Sequence, residues 1–211
     1  MSAEKIIYEE FRGAEGLVYA VVTEDTFDTY TAGEVKPLAG LGEVKKQTEV
    51  STDTRYYDNG PAIIIEGEGE DKITLSVSII RPEAYAEITE QYYDAEHQAV
   101  FEGAKLKPKY YALGYITETT SGKRIFVWRY KGKFSIPDSN SKTKDNGTDS
   151  QGQEIIYTAV KTKRIWAELV DEDGNKLQTK GLAVPESAAI TEAVVFADVF
   201  TPDKYAAKKN S

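Results

Sequence analysis

The 211-residue sequence has no cysteine and a single histidine, and these two absences exclude most sites that depend on thiol or imidazole chemistry. Without cysteine the chain has no thiolate nucleophile, no disulfide and no cysteine-ligated metal. The single histidine, His97, lies between Glu96 and Gln98, so we expect it to be exposed and to have no catalytic role. No phosphate-binding loop or dinucleotide fingerprint is present. We therefore expect no enzymatic activity, no bound metal and no cofactor.

The sequence also lacks long apolar runs and an excess of basic residues. No segment approaches the ~20 apolar residues that a membrane helix requires, and the first ten residues lack the apolar region of a signal peptide. There are 35 Asp and Glu against 26 Lys and Arg, for a net charge of -9. This balance argues against a protein that grips the phosphates of nucleic acid. We expect a protein that is made in the cytoplasm and has no membrane partner.

Aromatic residues are abundant, and they are densest in residues 107–137. Two runs of aromatic and β-branched residues flank Thr119-Thr120-Ser121-Gly122, which is the pattern of a β-hairpin with a Gly-containing turn. Because side chains alternate along a strand, this hairpin is predicted to have an aromatic core side. The predicted core aromatics are Tyr111, Tyr115, Phe126, Trp128 and Tyr130.

Further strands are predicted from alternation and from turn residues. Residues 72–80 alternate apolar and polar side chains. Their core-facing side chains are predicted to be Ile73, Leu75, Val77 and Ile79. A turn at Asp94 leads to an edge strand near residues 99–101, and another strand covers residues 154–169. Together these patterns predict a mainly β fold.

Two helices are predicted beside the strands. The first covers about residues 82–92, because Pro82 and Glu83 suit the first turn of a helix. Its apolar stripe is predicted to face the core and consists of Tyr85, Ile88 and Tyr92. A possible C-terminal helix covers residues 185–200.

Residues 43–58 have polar side chains on both faces of a predicted strand, and Asp58-Asn-Gly-Pro is a strong turn signal. A strand that is polar on both sides buries little in its own subunit. We interpret this segment as part of a long hairpin arm that projects from the body, and the alternative interpretation is a solvated loop. The acidic run from Glu66 to Asp71 is predicted to be a tight acidic turn that is solvated or faces a lumen.

We predict one domain over residues 16–200. Before it, residues 1–15 mix charge with Ile6, Ile7, Tyr8 and Phe11, which fits either a loose terminus or an arm that docks on a neighbour. Residues 137–154 have no large apolar side chain and are predicted to form a polar loop. Residues 201–211 are predicted to be a polar tail.

Several stretches resemble, in the same order, the major tail proteins of long-tailed phages with non-contractile tails. These stretches are Gly16-Leu-Val-Tyr-Ala-Val-Val-Thr-Glu-Asp, Val35-Lys-Pro-Leu-Ala-Gly, Tyr57-Asp-Asn-Gly-Pro, Tyr110-Tyr-Ala-Leu-Gly-Tyr, Ser121-Gly-Lys-Arg and Val127-Trp-Arg-Tyr-Lys-Gly-Lys-Phe-Ser-Ile-Pro. The resemblance spans roughly residues 16–166. The N-terminal arm and the segment after Leu169 have no matching counterpart.

The resemblance implies an antiparallel β-sandwich or half-barrel with one flanking helix. It further implies hexameric rings that stack into the tail tube of a virion, assembled in the host cytoplasm and used as the conduit for DNA ejection. The implied partners are other copies of the chain, a tape measure protein in the lumen, and terminator and baseplate proteins at the ends. DNA would pass through the lumen without specific binding.

In this family the arm reaches the adjacent ring, and one face of the inner sheet lines the lumen. The implied inter-ring residues are Glu49, Ser51, Thr52, Asp53 and Arg55. The implied lumen-facing residues are Glu43, Lys45, Gln47, Glu49, Thr74, Ser76 and Ser78. The acidic turn is formed by Glu66, Glu68, Glu70 and Asp71, and we expect it to add to a net acidic lumen that repels DNA.

Two alternative functions stay open at this point. One is a tail terminator or baseplate component of the same fold, which would stop at a single ring rather than form long tubes. The other is a carbohydrate-binding β-sandwich, in which Trp128 and Trp166 would form a stacking platform with some of the tyrosines.

Overall fold

The computed structural model describes residues 9–57, 60–137 and 152–209, and the side chains of residues 52–66 are not described. In chain order the strands are β1 Phe11–Asp25, β2 Tyr30–Ala32, β3 Lys36–Pro37, β4 Leu41–Tyr57, β5 Gly60–Val77, β6 Gln91–Asp94, β7 Ala99–Lys105, β8 Tyr110–Thr119, β9 Arg124–Phe134, β10 Gln153–Ala159, β11 Trp166–Val170, β12 Lys176–Leu177 and β13 Gly181–Pro185. The helices are α1 Pro82–Ile88, α2 Glu192–Val195 and α3 Pro202–Lys209. The predicted mainly β class is confirmed.

A large antiparallel sheet dominates the fold, with the strand order β2-β1-β8-β9-β10-β5-β4. β3 pairs with β1, β13 pairs with β9, and the hairpins β6–β7 and β11–β12 form two small separate sheets. Near the ends of this order, β1 and β4 approach each other to within 8 Å between Cα atoms. The sheet therefore curls into a half-barrel.

One face of the sheet encloses the inner core, to which β1, β5, β8, β9 and β10 all contribute. Its largest buried side chains are Tyr19, Ile73, Leu75, Tyr111, Leu113 and Tyr157. Helix α1 covers one end of this core through Ala84 and Ile88. Glu87 fixes the helix there, because its carboxylate accepts a 2.8 Å hydrogen bond from the Tyr19 hydroxyl and pairs with Lys36 at 2.9 Å.

The opposite face carries a second, outer core over β1, β8 and β9. Its central residues are Ala112, Phe126, Trp128, Tyr130, Trp166 and Phe200. The C-terminal segment covers this face: the Trp128 indole donates to the Val195 carbonyl at 3.1 Å, and the Tyr130 hydroxyl donates to the Phe200 carbonyl at 3.0 Å. The part of the chain without a counterpart in the tail-protein resemblance therefore completes the outer core.

All five predicted core aromatics are buried, but they do not share one core side. Tyr111 and Tyr115 belong to the inner core, whereas Phe126, Trp128 and Tyr130 belong to the outer core. The central hairpin is thus buried on both faces. Gly114 is required opposite Trp128, since a Cβ there would lie 2.8 Å from Val18 and 3.0 Å from the indole.

Two side chains that were predicted to face the core are exposed. Ile79 is 79% exposed, because β5 ends at Val77 and the alternation does not continue past that residue. Tyr92 is 51% exposed, because α1 ends at Ile88 and residue 92 lies in β6 instead. The predicted turn at Asp94 and the edge strand after it are confirmed as the hairpin β6–β7.

The C-terminal predictions need correction. Residues 185–200 contain the end of β13 and only four helical residues in α2, whereas the predicted polar tail contains α3. The predicted strand 154–169 is two strands, β10 and β11. Its break follows from Asp25, whose carboxylate accepts hydrogen bonds from the backbone N–H groups of Lys163 and Arg164.

Two predicted segments fall largely outside the described residues. These are residues 1–8 of the predicted N-terminal arm and residues 138–151 of the predicted polar loop.

Candidate assembly site

The strands β4 and β5 form a hairpin that extends beyond the rest of the sheet. They pair from Leu41 with Val77 to Tyr57 with Gly60, whereas β10 pairs with β5 along residues 71–77 alone. Within the described residues, the outer parts of β4 and β5 pair only with each other. We call residues 50–57 and 60–68 the distal ribbon. The long hairpin predicted from the sequence is confirmed.

The distal ribbon has little to stabilise it within one subunit. At ~3.3 Å per residue, eight paired residues extend about 26 Å. An isolated two-stranded hairpin is at best marginally stable in water. In addition, β4 is the edge strand of the sheet, so its outer row of backbone N–H and C=O groups is open to another chain. The ribbon and this edge together are the candidate assembly site.

A β-bulge separates the distal ribbon from the body. The register slips between Thr48 and Val50, so that Glu49 lies opposite Gly69 and Glu70. A Cβ at Gly69 would lie 3.2 Å from the Glu49 Cβ and 3.3 Å from its carbonyl oxygen. Glycine therefore allows the close approach of the strands at the bulge, and the bulge bends and twists the hairpin at this point.

A buried ion cluster fixes the base of the hairpin next to this bulge. Asp71 is 1% exposed, and its Oδ1 accepts a 2.9 Å hydrogen bond from the Lys180 ammonium. Its Oδ2 lies 3.3 Å from Lys46 Nζ and 3.7 Å from Arg129 Nη1. Lys180 also donates to Glu68 at 2.7 Å. Residues of β4, β5, β9 and the segment before β13 thus meet at one carboxylate.

The pKa of Asp71 reflects the balance between its burial and the cations around it. Burial alone would raise the pKa, but the hydrogen bond from Lys180 and the nearby Lys46 ammonium outweigh burial and leave the pKa below its ordinary value of 3.8. Asp71 is therefore a carboxylate at neutral pH, and the cations around it are compensated.

The prediction of an acidic turn at residues 66–71 is wrong. These residues lie within the continuous strand β5, because β4 ends at Tyr57 and β5 begins at Gly60, so the chain has reversed before residue 66. Asp71 and Glu68 both pair with Lys180, and Glu70 is exposed. The side chain of Glu66 lies outside the described side chains. This segment does not form a tight acidic turn.

Most of the predicted lumen-facing residues share one face of the sheet. Glu43 pairs with Ser76, Lys45 with Thr74, and Gln47 with Lys72, and directly paired residues of antiparallel strands point to the same side. This face is opposite the inner core and is exposed or half-buried in the subunit. The strand register therefore places these predicted lumen-facing residues on one surface.

Along residues 43–47 of β4, this polar face carries charges of both signs. Glu154 joins it by pairing with Ser76, so two carboxylates, Glu43 and Glu154, accompany the ammonium groups of Lys45 and Lys72. Glu43 and Lys45 form an exposed ion pair at 3.0 Å. A net acidic lumen stays a prediction.

The other predicted contact residues are only partly described. Ser78 follows the end of β5, and its hydroxyl accepts a 2.9 Å hydrogen bond from the Gly40 N–H, so it is a loop residue rather than a member of the polar face. Glu49 and Ser51 are exposed in β4. The side chains of Thr52, Asp53 and Arg55 are not described. Contact of these residues with an adjacent ring stays a prediction.

Sequence reasoning missed the buried cations. The buried residues Lys180 and Lys131 and the half-buried Arg129 were not identified; Lys180 and Arg129 lie at the hairpin base, and Lys131 pairs with Asp25 at 2.6 Å. A signal was available for Arg129 and Lys131, because they alternate with the aromatic residues of a strand that is buried on both faces. Lys180 had no such signal, since it lies in a polar segment between short strands.

Few features of the described residues indicate a catalytic or metal-binding site. Among them, no group of three or more His, Asp or Glu side chains is arranged to hold a metal ion. His97 is exposed and its Nδ1 lies 2.8 Å from Asp94 Oδ2. No helix in the described part of the chain is long and apolar enough to cross a membrane.

Comparisons with known proteins do not identify a family for this chain. No family model matches the sequence, and no curated protein matches it. Among solved structures, the fold is similar to the cap of the anti-feeding prophage, described as a tube-terminating cap and solved by cryo-EM. The identity is 12%, the match covers 75% of this chain and 93% of the cap chain, and the TM-score is 0.40. We draw no conclusion on function from a similarity of this size.

Proposed function

We propose that this chain is a structural, non-catalytic subunit of a phage tail tube. In this proposal six copies form a ring, and stacked rings form the conduit through which DNA is ejected. The observation that carries the proposal is the distal ribbon, an extension of the sheet in which, among the described residues, β4 and β5 pair only with each other. Self-assembly gives such an extension a partner.

The open edge of β4 supports the same proposal. Monomeric proteins keep edge strands short or otherwise blocked, because a long free edge invites pairing with another chain. Here the edge strand is 17 residues long. The lysines at positions 45 and 46 lie at its base, and Lys46 is engaged with Asp71. A strand edge of this length suits a protein whose edges are completed by neighbouring copies.

The sequence resemblance over residues 16–166 supplies the type of assembly. It includes both arms of the central hairpin and the turn of the β4–β5 hairpin. From it we further propose the partners: a tape measure protein in the lumen, and terminator and baseplate proteins at the tube ends. The site of action would be the virion.

Sugar binding receives no support from the geometry. Trp128 and Trp166 are each 1% exposed and belong to the outer core. A stacking platform needs exposed ring faces, so we do not pursue the carbohydrate-binding alternative.

Electron microscopy of the purified protein at increasing concentration tests the proposal. We expect long tubes of constant diameter built from rings. Rings that never stack would instead indicate a terminator or baseplate component, and a chain that stays monomeric at every concentration and salt, with or without tail initiation proteins, would refute the proposed function.

A further inference from the structure

The segment that joins β7 to β8 carries three exposed lysines in an otherwise acidic chain. Residues 105–110 read Lys-Leu-Lys-Pro-Lys-Tyr, and every one of them is exposed. The side chains of Lys105, Lys107 and Lys109 form no ion pair with any described residue, although Glu102 lies nearby in β7. We call these three lysines the basic patch. Their charge is not compensated within the described part of the subunit.

Backbone contacts hold the basic patch in place and leave its ammonium groups free. The Glu90 carbonyl accepts a 2.7 Å hydrogen bond from the Leu106 N–H, and Glu90 Oε1 accepts a 2.8 Å hydrogen bond from the Lys109 N–H. The same Oε1 lies 3.5 Å from Lys133 Nζ. Glu90 therefore fixes the backbone of the segment, and its ion-pair partner is Lys133 rather than a lysine of the patch.

A second exposed cluster has the opposite excess of charge. The Arg124 guanidinium lies 2.6 Å from Glu192 Oε2, 3.2 Å from Glu15 Oε1 and 3.5 Å from Glu186 Oε1. The side chains of these three acids are 53%, 66% and 36% exposed. Three negative charges against one positive charge give this acidic cluster a net charge of -2. The second oxygen of each carboxylate has no partner among the described residues.

The basic patch and the acidic cluster lie at opposite ends of strand β8. The patch leads directly into Tyr110, the first residue of β8, whereas Arg124 pairs with Glu118 near the other end of that strand. Eight residues separate Tyr110 from Glu118, which is about 26 Å at ~3.3 Å per residue. This distance is far beyond the reach of a side chain, so the two surfaces of one copy cannot neutralise each other.

We propose that the basic patch of one copy contacts the acidic cluster of the next copy, where its ammonium groups donate to the free carboxylate oxygens. A chain of net charge -9 repels its own copies, and this contact brings opposite charges together at the point of association. Because the two surfaces differ and lie at opposite ends, the contact is head-to-tail and repeats from copy to copy. The inference rests on the proposed function and names one contact between subunits of the assembly.

Reversal of charge on each surface tests the contact. One variant carries Lys107→Glu with Lys109→Glu, and the other carries Glu15→Lys with Glu186→Lys, which leaves Arg124 its shortest partner, Glu192. Each variant alone presents like charges at the contact, so we expect it to self-associate about tenfold more weakly than the wild type or worse. An equal mixture of the two should assemble again, because each reversed surface then meets a complementary one. Sedimentation and electron microscopy measure assembly.

The matched control is Lys161→Glu with Lys176→Glu, which makes the same change in net charge at two exposed lysines outside the basic patch. It should assemble with the basic-patch variant no better than that variant does alone. All substituted side chains are at least partly exposed, so the urea midpoints should stay close to that of the wild type.

The outcomes separate this contact from the proposed function. Normal assembly of either reversed variant, or no recovery in their mixture, would refute the contact and leave the proposed function intact. Normal assembly of the basic-patch variant together with a loss of affinity for duplex DNA would assign the lysines to phosphate binding and likewise overturn the inference. A wild-type protein that never self-associates would refute both the contact and the proposed function.

Discussion

The two halves of strand β5 have the same backbone conformation and very different surroundings. Residues 71–77 pair on both sides, with β10 and β4, and bury Ile73 and Leu75 completely. Residues 60–70 pair with β4 alone. One strand therefore serves the fold over its inner half and is available for assembly over its outer half. The boundary between the halves is the bulge at Glu49 and the ion cluster at Asp71.

This difference teaches that pairing within a sheet and burial in a core are separable. The inner half is stabilised by apolar side chains that leave water, which contributes ~25 cal/mol per Å². Within the described residues the outer half has backbone hydrogen bonds to one strand, and such bonds contribute only modestly in net terms. Changes in the inner half should therefore affect folding, and changes in the outer half should affect association.

Trp128→Ala is the largest expected disturbance of the body. The indole is buried in the outer core and donates to the Val195 carbonyl. We expect its loss to lower the free energy of unfolding by about 3–5 kcal/mol, as measured by urea denaturation. The matched change in the ribbon, Val50→Ala, removes an exposed side chain and should stay within about 0.5 kcal/mol. Similar losses of unfolding free energy for both variants would contradict the distinction between the body and the ribbon.

Asp71→Ala tests the boundary between the regions. Removal of this carboxylate leaves Lys180 buried with only Glu68 as a partner. Breaking a buried ion pair costs about 3–5 kcal/mol, and we expect the lower end because Glu68 remains. Glu43→Ala removes one partner of an exposed pair and should cost less than about 1 kcal/mol. Urea denaturation of the two variants in parallel checks the difference, and equal costs would show that the cluster does not fasten the hairpin base.

Acid should weaken the same boundary. The pKa of Asp71 is lower in the folded chain than its ordinary value of 3.8. Its contribution to stability is therefore fully present above the unfolded pKa and is lost as the pH falls through the lower folded pKa. Denaturation of the wild-type protein between pH 7 and pH 2 should show this loss, and Asp71→Asn should lack that part of the pH dependence. Identical pH profiles would count against the assigned cluster.

Shortening the distal ribbon should disturb the fold little. We propose to replace residues 51–67 by a short Gly-Ser turn that joins Val50 to Glu68, which are paired in the hairpin. Because the described strand pairing of this part is confined to the hairpin itself, we expect the free energy of unfolding to change by less than about 1 kcal/mol. Urea denaturation measures the change. A loss comparable to that of Trp128→Ala would mean that the ribbon belongs to the folding core.

The sequence predicted the parts of the fold in which local pattern and tertiary role agree. The central hairpin was found because β-branched and aromatic residues flank a turn with Gly122, which adopts a φ of 80°. The long hairpin was found because residues 43–57 are polar on both faces. In both cases side-chain alternation and turn chemistry are local properties.

The errors arose where distant residues decide the outcome. Two cores could not be distinguished, because alternation states which residues share a face and not what covers that face. Residues 160–165 interrupt the predicted strand 154–169, because the Asp25 carboxylate accepts hydrogen bonds from the backbone N–H groups of Lys163 and Arg164. Asp71 was assigned to a turn, because no residue near it in the sequence indicates that Lys180 is its partner.

Electron microscopy of the wild-type protein beside the shortened-ribbon variant, under one set of assembly conditions, tests the central claim most directly. The variant must first have the urea midpoint of the wild type, which establishes that its body is folded. We then predict tubes from the wild-type protein and none from the variant. Tubes of equal yield and length from both would contradict the assignment of the distal ribbon as an assembly element.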